Sequence, residues 1–206
     1  MKILTFILVK IGCLSSYIFP YKANNILYKM RYTLYSGWIN RQFKRCGLTC
    51  RFYPPSCFIR GGQFIELGDN IHFGRAATIT AAPTNHTFSP IIKIGDGCVF
   101  GSYNHITACE YIEIGVNLRS GSSVLISDNS HGNPNDNYSK NIHPDKRPLF
   151  TKGPIIIGDN VWLGDNCVIL GNVKIGKGVI VGANSVVTHD LPDFSVAVGA
   201  PARIVK

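Results

Sequence analysis

The chain has no Cys-x-x-Cys pair, and that absence removes the common zinc-site spacing from consideration. Its seven cysteines (Cys13, Cys46, Cys50, Cys57, Cys98, Cys109, Cys167) are odd in number and scattered. They do not read as a disulfide framework, and the expectation is reduced thiols in a cytosolic protein. Charged residues are sparse at 16%, and acids are the scarcer kind: 12 Asp and Glu against 21 Lys and Arg leave a formal charge of +9. So basic a chain points to an anionic partner, whether nucleic acid, a membrane surface or a phosphorylated small molecule. No aromatic-interleaved RNA motif or helix-turn-helix pattern accompanies the charge, so no nucleic-acid partner is expected. A clean membrane-spanning run is also missing. The apolar stretch Ile3 to Val9 is broken by Lys10 before it resumes at Ile11, and no small-x-small cleavage site follows it. Residues 21–45 mix Tyr, Leu and Trp with basic residues, a composition for an amphipathic helix. Through residues 1–45 the chain either lies on a membrane surface or packs against a neighbouring element, and both readings stay open.

What the chain does have is a period of six. From Ile157 an aliphatic residue recurs at Leu163, Ile169, Ile175, Val181 and Val187, with glycine following at Gly158, Gly164, Gly176 and Gly182. Four residues after the aliphatic comes a small or β-branched residue: Val161, Cys167, Val173, Val179, Ser185. Earlier echoes stand at Ile94-Gly95 with Cys98, at Phe100-Gly101 and at Leu67-Gly68. Six fits neither a helix nor a long alternating strand. It fits a short strand and a tight turn repeated as a stacked solenoid, with the aliphatic pointing inward. Gly, Asp-Asn and Asp-Gly supply the turns. Cys98 and Cys167 read as small apolar fillers, which removes them as nucleophiles. Such an array needs its ends covered. The N-terminal segment is expected at one end and the chain after Leu191, folded back, at the other.

The spacing also locates the irregularities. Gly158 and Gly176 lie 18 residues apart, one triangular coil, whereas Gly115 and Gly158 lie 43 apart. The surplus predicts a loop over residues 131–154, polar and rich in Pro and Asn. The gap of 27 between Gly68 and Gly95 predicts a smaller bulge at Ala81 to Pro90. The expected division is a helical cap or membrane-surface segment over 1–60 and a solenoid domain over 61–206. Excursions from a regular array are where function tends to sit. His131 opens the long loop directly after the strand-like run Val124-Leu125-Ile126-Ser127, held by the scaffold yet able to meet a substrate. From position alone, a general base and an idle surface histidine remain equally open.

The tail carries a resemblance. Val161-Trp162-Leu163-Gly164-Asp165-Asn166, Ile175-Gly176, the run from Val181 to Thr188, and Val198-Gly199-Ala200-Pro201-Ala202-Arg203 resemble the hexapeptide-repeat acyltransferases. The branch is that of the maltose, galactoside and nodulation-factor O-acetyltransferases, together with the O-antigen and capsule acetyltransferases. The resemblance covers residues 60 to 206 and is most specific over the last 50. It implies an all-β fold, a left-handed parallel β-helix, assembled as a homotrimer with acetyl-CoA in the groove between subunits. It implies His131 as catalytic base, since the stretch from Ile114-Gly115 to Ser130-His131 matches the family motif in spacing. It implies that Asn104, aligned with one residue deleted, helps hold the acceptor and oxyanion, with His105 beside it as a competitor. For the cofactor it implies Trp162 along the pantetheine groove, Gly164 and Ala183 where small side chains admit it, and Thr188 and Arg203 near the nucleotide, Arg203 pairing with a phosphate. Lys177 reads as an exposed turn lysine. Two departures stand out: Leu170-Gly171-Asn172 replaces the usual Asn-Pro-Gly or Leu-Pro-Gly, and His189 replaces the usual Lys after Thr.

The expected reaction is transfer of an acetyl group to a sugar hydroxyl in surface-polysaccharide or lipopolysaccharide synthesis. His131 would be oriented by Ser127, Asp128 or a backbone carbonyl, with no metal involved. An amine acceptor, as in aminosugar or antibiotic N-acetyltransferases, is the alternative. A structural or metal-binding solenoid is the third reading, but His72, His86, His105, His131 and His143 form no close ligand pair in sequence. The expected location is the cytoplasm, peripheral at the inner face of the membrane if residues 1–45 take the membrane-surface reading.

Overall fold

A computed structural model describes residues 2–54, 57–83, 89–133 and 135–206. Two helices, α1 (Lys2–Ile18) and α2 (Tyr21–Asn40), precede a column of short strands. The strands fall into three stacked sheets, which we call the first, second and third faces, and successive coils pair in parallel. Along the first face, Ile65, Ile92, Ile112, Ile155 and Val173 are in register and point inward. Between them, Glu66, Lys93, Glu113, Ile156 and Lys174 form the outward column. The third face stacks Ile79, Ile106, Ile126, Ile169 and Val187 inward. Leu67, Ile94, Ile114, Ile157 and Ile175 form a second inward column on the first face, and it is this column that carries the six-residue period there.

The corners explain the Asp and Asn of the repeat. Asn70, Asn117 and Asn160 adopt φ of 55 to 58° at the first corner, a left-handed conformation that Asn tolerates. An Asp before the left-handed residue (Gly97, Asn160, and Asn166 at the second corner) reaches back one coil: Asp96 Oδ1 accepts from Asp69 N at 2.8 Å, Asp159 Oδ1 from Val116 N at 2.8 Å, and Asp165 Oδ1 from Ser122 N at 2.7 Å. Each Asp thereby satisfies a turn N–H that its own coil leaves free. Cys98 and Cys167 are fully buried, and burial pushes the Cys98 thiol up to about 11.

The solenoid begins earlier than the division at residue 61. Strands Arg45–Cys46, Arg51–Phe52 and Phe58–Arg60 already form a coil, paired in parallel with the next. Its left-handed turn residue is Thr49, and its second-face interior residue is Phe52, so neither an Asp-Asn or Asp-Gly turn nor the aliphatic hexad signals it. Both ends of the column are covered. α2 buries Tyr32, Ser36 and Ile39 on the first coil; Ser36 Oγ accepts from Phe52 N at 2.9 Å, and Phe43 stacks on Phe52 with centroids 5.3 Å apart. At the far end Arg203–Ile204 folds back antiparallel onto Val196–Val198. The predicted long loop leaves the solenoid after Ser127 as a hairpin, Asn129–His131 against Leu149–Thr151. The centre of the Ala81–Pro90 bulge, including His86, lies outside the described residues.

Candidate active site

The third corner builds the root of the hairpin. Strand Leu125–Ser127 runs along the third face with Ile126 inward, and the chain then turns out of the column at Asp128. Asp128 is 2% exposed, and its carboxylate is fully engaged. Oδ1 accepts from Cys109 N at 2.8 Å and Asn129 Nδ2 at 3.0 Å, while Oδ2 accepts from Glu110 N at 2.9 Å and Tyr111 N at 3.0 Å. Three consecutive backbone N–H groups of the preceding coil thus converge on one carboxylate. Asn129 reinforces the root by donating from Nδ2 to Thr107 O at 3.1 Å. On the returning strand, Thr151 Oγ1 donates to Glu110 Oε2 at 3.0 Å. Cys109, beside the clamp, has its thiol pushed up to about 12, by burial first and by Asp128 next.

His131 stands at the end of the outgoing strand, opposite Leu149 and exposed. Two of the three groups expected to orient its ring have other partners. The Asp128 carboxylate holds the four donors named above, and Ser127 Oγ donates to Asn129 O at 3.0 Å. Between hairpin and third face lies a cleft of about 110 Å³, lined by Ser127, Asn129, Ser130, Phe150, Lys152 and Leu170.

Asn104 receives a different place from the one expected. It is 2% exposed inside the second corner, donating to Gly101 O at 3.0 Å, Ser120 Oγ at 2.8 Å and Gly121 O at 3.1 Å. Its Oδ1 accepts from Val124 N at 2.7 Å. With the amide spent on two coils, the correction is from a group that meets the acceptor to one that fixes the corner leading into the His131 strand. His105 points outward next to it on the third face, in register with Thr78 and Leu125, and burial lowers its pKa.

Of the residues expected to meet the cofactor, Trp162, Gly164 and Ala183 lie elsewhere, whereas Thr188 ends the third face on the side of the hairpin root. Trp162 is 52% exposed on the second face, between Arg119 and Ile180 in the outward column. The sequence gives no reason to single out Arg119; only the register places it beside Trp162. Gly164 and Ala183 follow at the second corner in adjacent coils, Ala183 exposed. A Cβ on Gly164 would lie 2.5 Å from Ala183 N, so coil stacking by itself requires glycine there. Arg203 is exposed on the last strand of the same sheet. Thr188 follows strand Val186–Val187 of the third face, its Oγ1 2.8 Å from His189 Nδ1. One chain therefore separates the two groups: His131 leaves the third corner, while Trp162, Gly164 and Ala183 cluster at the second, with the width of the third face between. Among the described residues no group of three His, Cys, Asp or Glu side chains converges as a metal site.

A parallel three-faced solenoid with a hairpin projecting from one corner defines a small class of proteins. Residues 154–189 match the family model for bacterial transferase hexapeptide (six repeats). Over 160 residues, 76% of this chain and 79% of the relative, it is 36% identical to the putative lipopolysaccharide biosynthesis O-acetyl transferase WbbJ of Escherichia coli K12. A solved galactoside acetyltransferase in complex with coenzyme A superposes with a TM-score of 0.52 at 26% identity, covering 83% of this chain and 68% of that one. The N-acyltransferase AntD of Bacillus cereus, at TM-score 0.66 and 20% identity over 83% of this chain and 87% of that one, shares the fold. The chain belongs to the hexapeptide-repeat acetyltransferase family, and its solenoid is a left-handed parallel β-helix.

Proposed function

We propose that the protein transfers the acetyl group of acetyl-CoA to a sugar hydroxyl during synthesis of a surface polysaccharide or lipopolysaccharide. The observation that carries the reading is the placement of His131: an exposed imidazole on a strand whose root is clamped by Asp128, in a chain similar over most of its length to a putative lipopolysaccharide O-acetyl transferase. A sugar hydroxyl is a poor nucleophile near neutral pH. Neutral His131 takes its proton as the oxygen attacks the thioester carbonyl, forming the new C–O bond. The tetrahedral intermediate collapses with rupture of the C–S bond, and the imidazolium returns the proton to the departing thiolate. Negative charge on the intermediate calls for fixed donors. Because the Asn104 amide is spent inside the corner, Asn104 acts here as a positioning residue.

The separation of the two groups within one chain supports a site shared between copies. A four-residue strand spans about 13 Å, and the hairpin projects outward from one end of the face while Trp162 and Ala183 stand at the other. In a closed homotrimer the hairpin of one chain reaches the second corner of the next. CoA then lies along Trp162, with the small Gly164 and Ala183 admitting the pantetheine and Thr188 and Arg203 toward the nucleotide. His131→Ala tests the assignment: thiol release from acetyl-CoA, followed with nucleotide sugars and lipid-linked oligosaccharides as acceptors, should fall by about two orders of magnitude or more. The particle size should stay unchanged. Near-normal turnover in the variant removes His131 as the base.

A further inference from the structure

The hairpin is one departure from the solenoid; the N-terminal helices are another, and the proposed acyl transfer gives them no role. Helix α1 is about 26 Å long at 1.5 Å per residue, and none of its residues is buried. Ile3, Leu4, Phe6, Ile7, Leu8, Val9, Ile11 and Leu14 are all exposed, so apolar side chains face solvent on every side. Helix α2 has two apolar stripes where a helix capping a solenoid needs one. Tyr32, Ser36 and Ile39 are seated on the first coil. Ile26, Leu27, Met30, Leu34 and Trp38 are exposed and fall within an arc of about 120° on the opposite side, at 100° per residue. Lys22 and Lys29 border that arc on one edge and Arg31 on the other.

The charge around these faces names their partner. Residues 1–65 contain no Asp or Glu, while Lys2, Lys10, Lys22, Lys29, Arg31, Arg41, Lys44, Arg45, Arg51 and Arg60 all fall there. A protein partner for so large an apolar surface would meet uncompensated positive charge along its whole rim. A leaflet of anionic lipid offers hydrocarbon and the opposite charge together. No single helix among the described residues is long and apolar enough to cross a bilayer; α1 and α2 reach that length and composition only together, across a bend of 81°. Lys10, midway along α1, has Nζ 5.6 Å from the centroid of the Phe6 ring, its stem along an apolar neighbour and its head free to reach the headgroups.

We propose that α1 and the outer stripe of α2 form a monotopic membrane-docking surface, lying in an anionic lipid leaflet with the solenoid standing on it. The test is flotation of the full chain with vesicles of phosphatidylcholine, with and without phosphatidylglycerol. The chain should float with the anionic vesicles, and binding should fall about tenfold or more on neutral vesicles or when Lys22, Lys29 and Arg31 are all changed to Glu. Leu8→Glu combined with Met30→Glu should lower binding about tenfold, while the circular dichroism spectrum and thermal midpoint stay as in the parent. Alkaline carbonate should release the bound chain. Retention after carbonate would mean that the helices cross the bilayer, and equal flotation on both vesicle types would remove the anionic lipid; either overturns the proposal. No flotation at all, with a large particle dispersed by Leu8→Glu, would assign the face to a second copy of the chain and overturn it too. The assay involves no acyl transfer, so its failure leaves the proposed reaction untouched.

Discussion

The early and late coils fill the same column with different material. On the second face, Phe52, Phe73 and Phe100 stand inward in consecutive coils, stacked with centroids 5.3 and 4.6 Å apart, and Phe43 extends the stack to the end of α2. In the late coils the same inward column is Leu163, Val181 and Ala197. Ser120 lies between the two stretches, its Oγ accepting from the Asn104 amide. The backbone is nearly indifferent to the change, since parallel pairing continues through all of it. A β-helix therefore tolerates interior volume as a variable, provided that each coil fits its neighbours. The family model matches only residues 154–189, where the interior is aliphatic and the corners carry glycine or asparagine.

Substitutions on either side of Ser120 test that contrast. Phe73→Ala removes the middle ring of the stack, and its cost should be the largest, about 3–5 kcal/mol by chemical denaturation. A loss below about 1 kcal/mol would mean that the wide coils collapse onto the gap, and that the aromatic stretch is packed no more specifically than the aliphatic one. Asn104→Ala leaves Val124 N–H buried without its partner and removes three donated bonds. Roughly 1–3 kcal/mol should be lost, with turnover falling further than CoA affinity if the corner positions the His131 strand. A variant with parental stability and turnover would detach the junction from both halves. Val181→Ala, in the narrow coils, should cost about 2 kcal/mol, from two lost methyl groups at about 0.8 kcal/mol each and a small void. Equal losses for Phe73→Ala and Val181→Ala would erase the distinction between the two stretches.

The same contrast governs how much could be read in advance. The late coils, the hairpin and the folded-back tail were legible because each has a local signature: an inward aliphatic every six residues, a break in that period, and turn residues. The coil over residues 45–60 was not, because Thr49 supplies its left-handed turn and Phe52 its interior. The exposure of His131 followed from the break in the period. The roles of Asp128 and Asn104 did not. Most of their partners are backbone groups, of Cys109, Glu110, Tyr111, Gly101, Gly121 and Val124, and a backbone N–H or C=O leaves no trace in residue identity. Gly164 was legible as a small residue, but the structure supplies a second reason for it in the close approach of the Ala183 backbone.

The Asp128 clamp has a consequence for how such a molecule changes over time. The carboxylate joins the hairpin root to the coil beneath through Cys109, Glu110, Tyr111 and Asn129, all of which lie outside residues 133–148. The tip can be lengthened, shortened or rewritten while Asn129 and Asp128 keep the strand bearing His131 where it is. On the proposed reaction, acceptor choice and proton transfer would be separable traits: a lineage could exchange one acceptor for another by altering the tip, without having to rediscover the chemistry at its base.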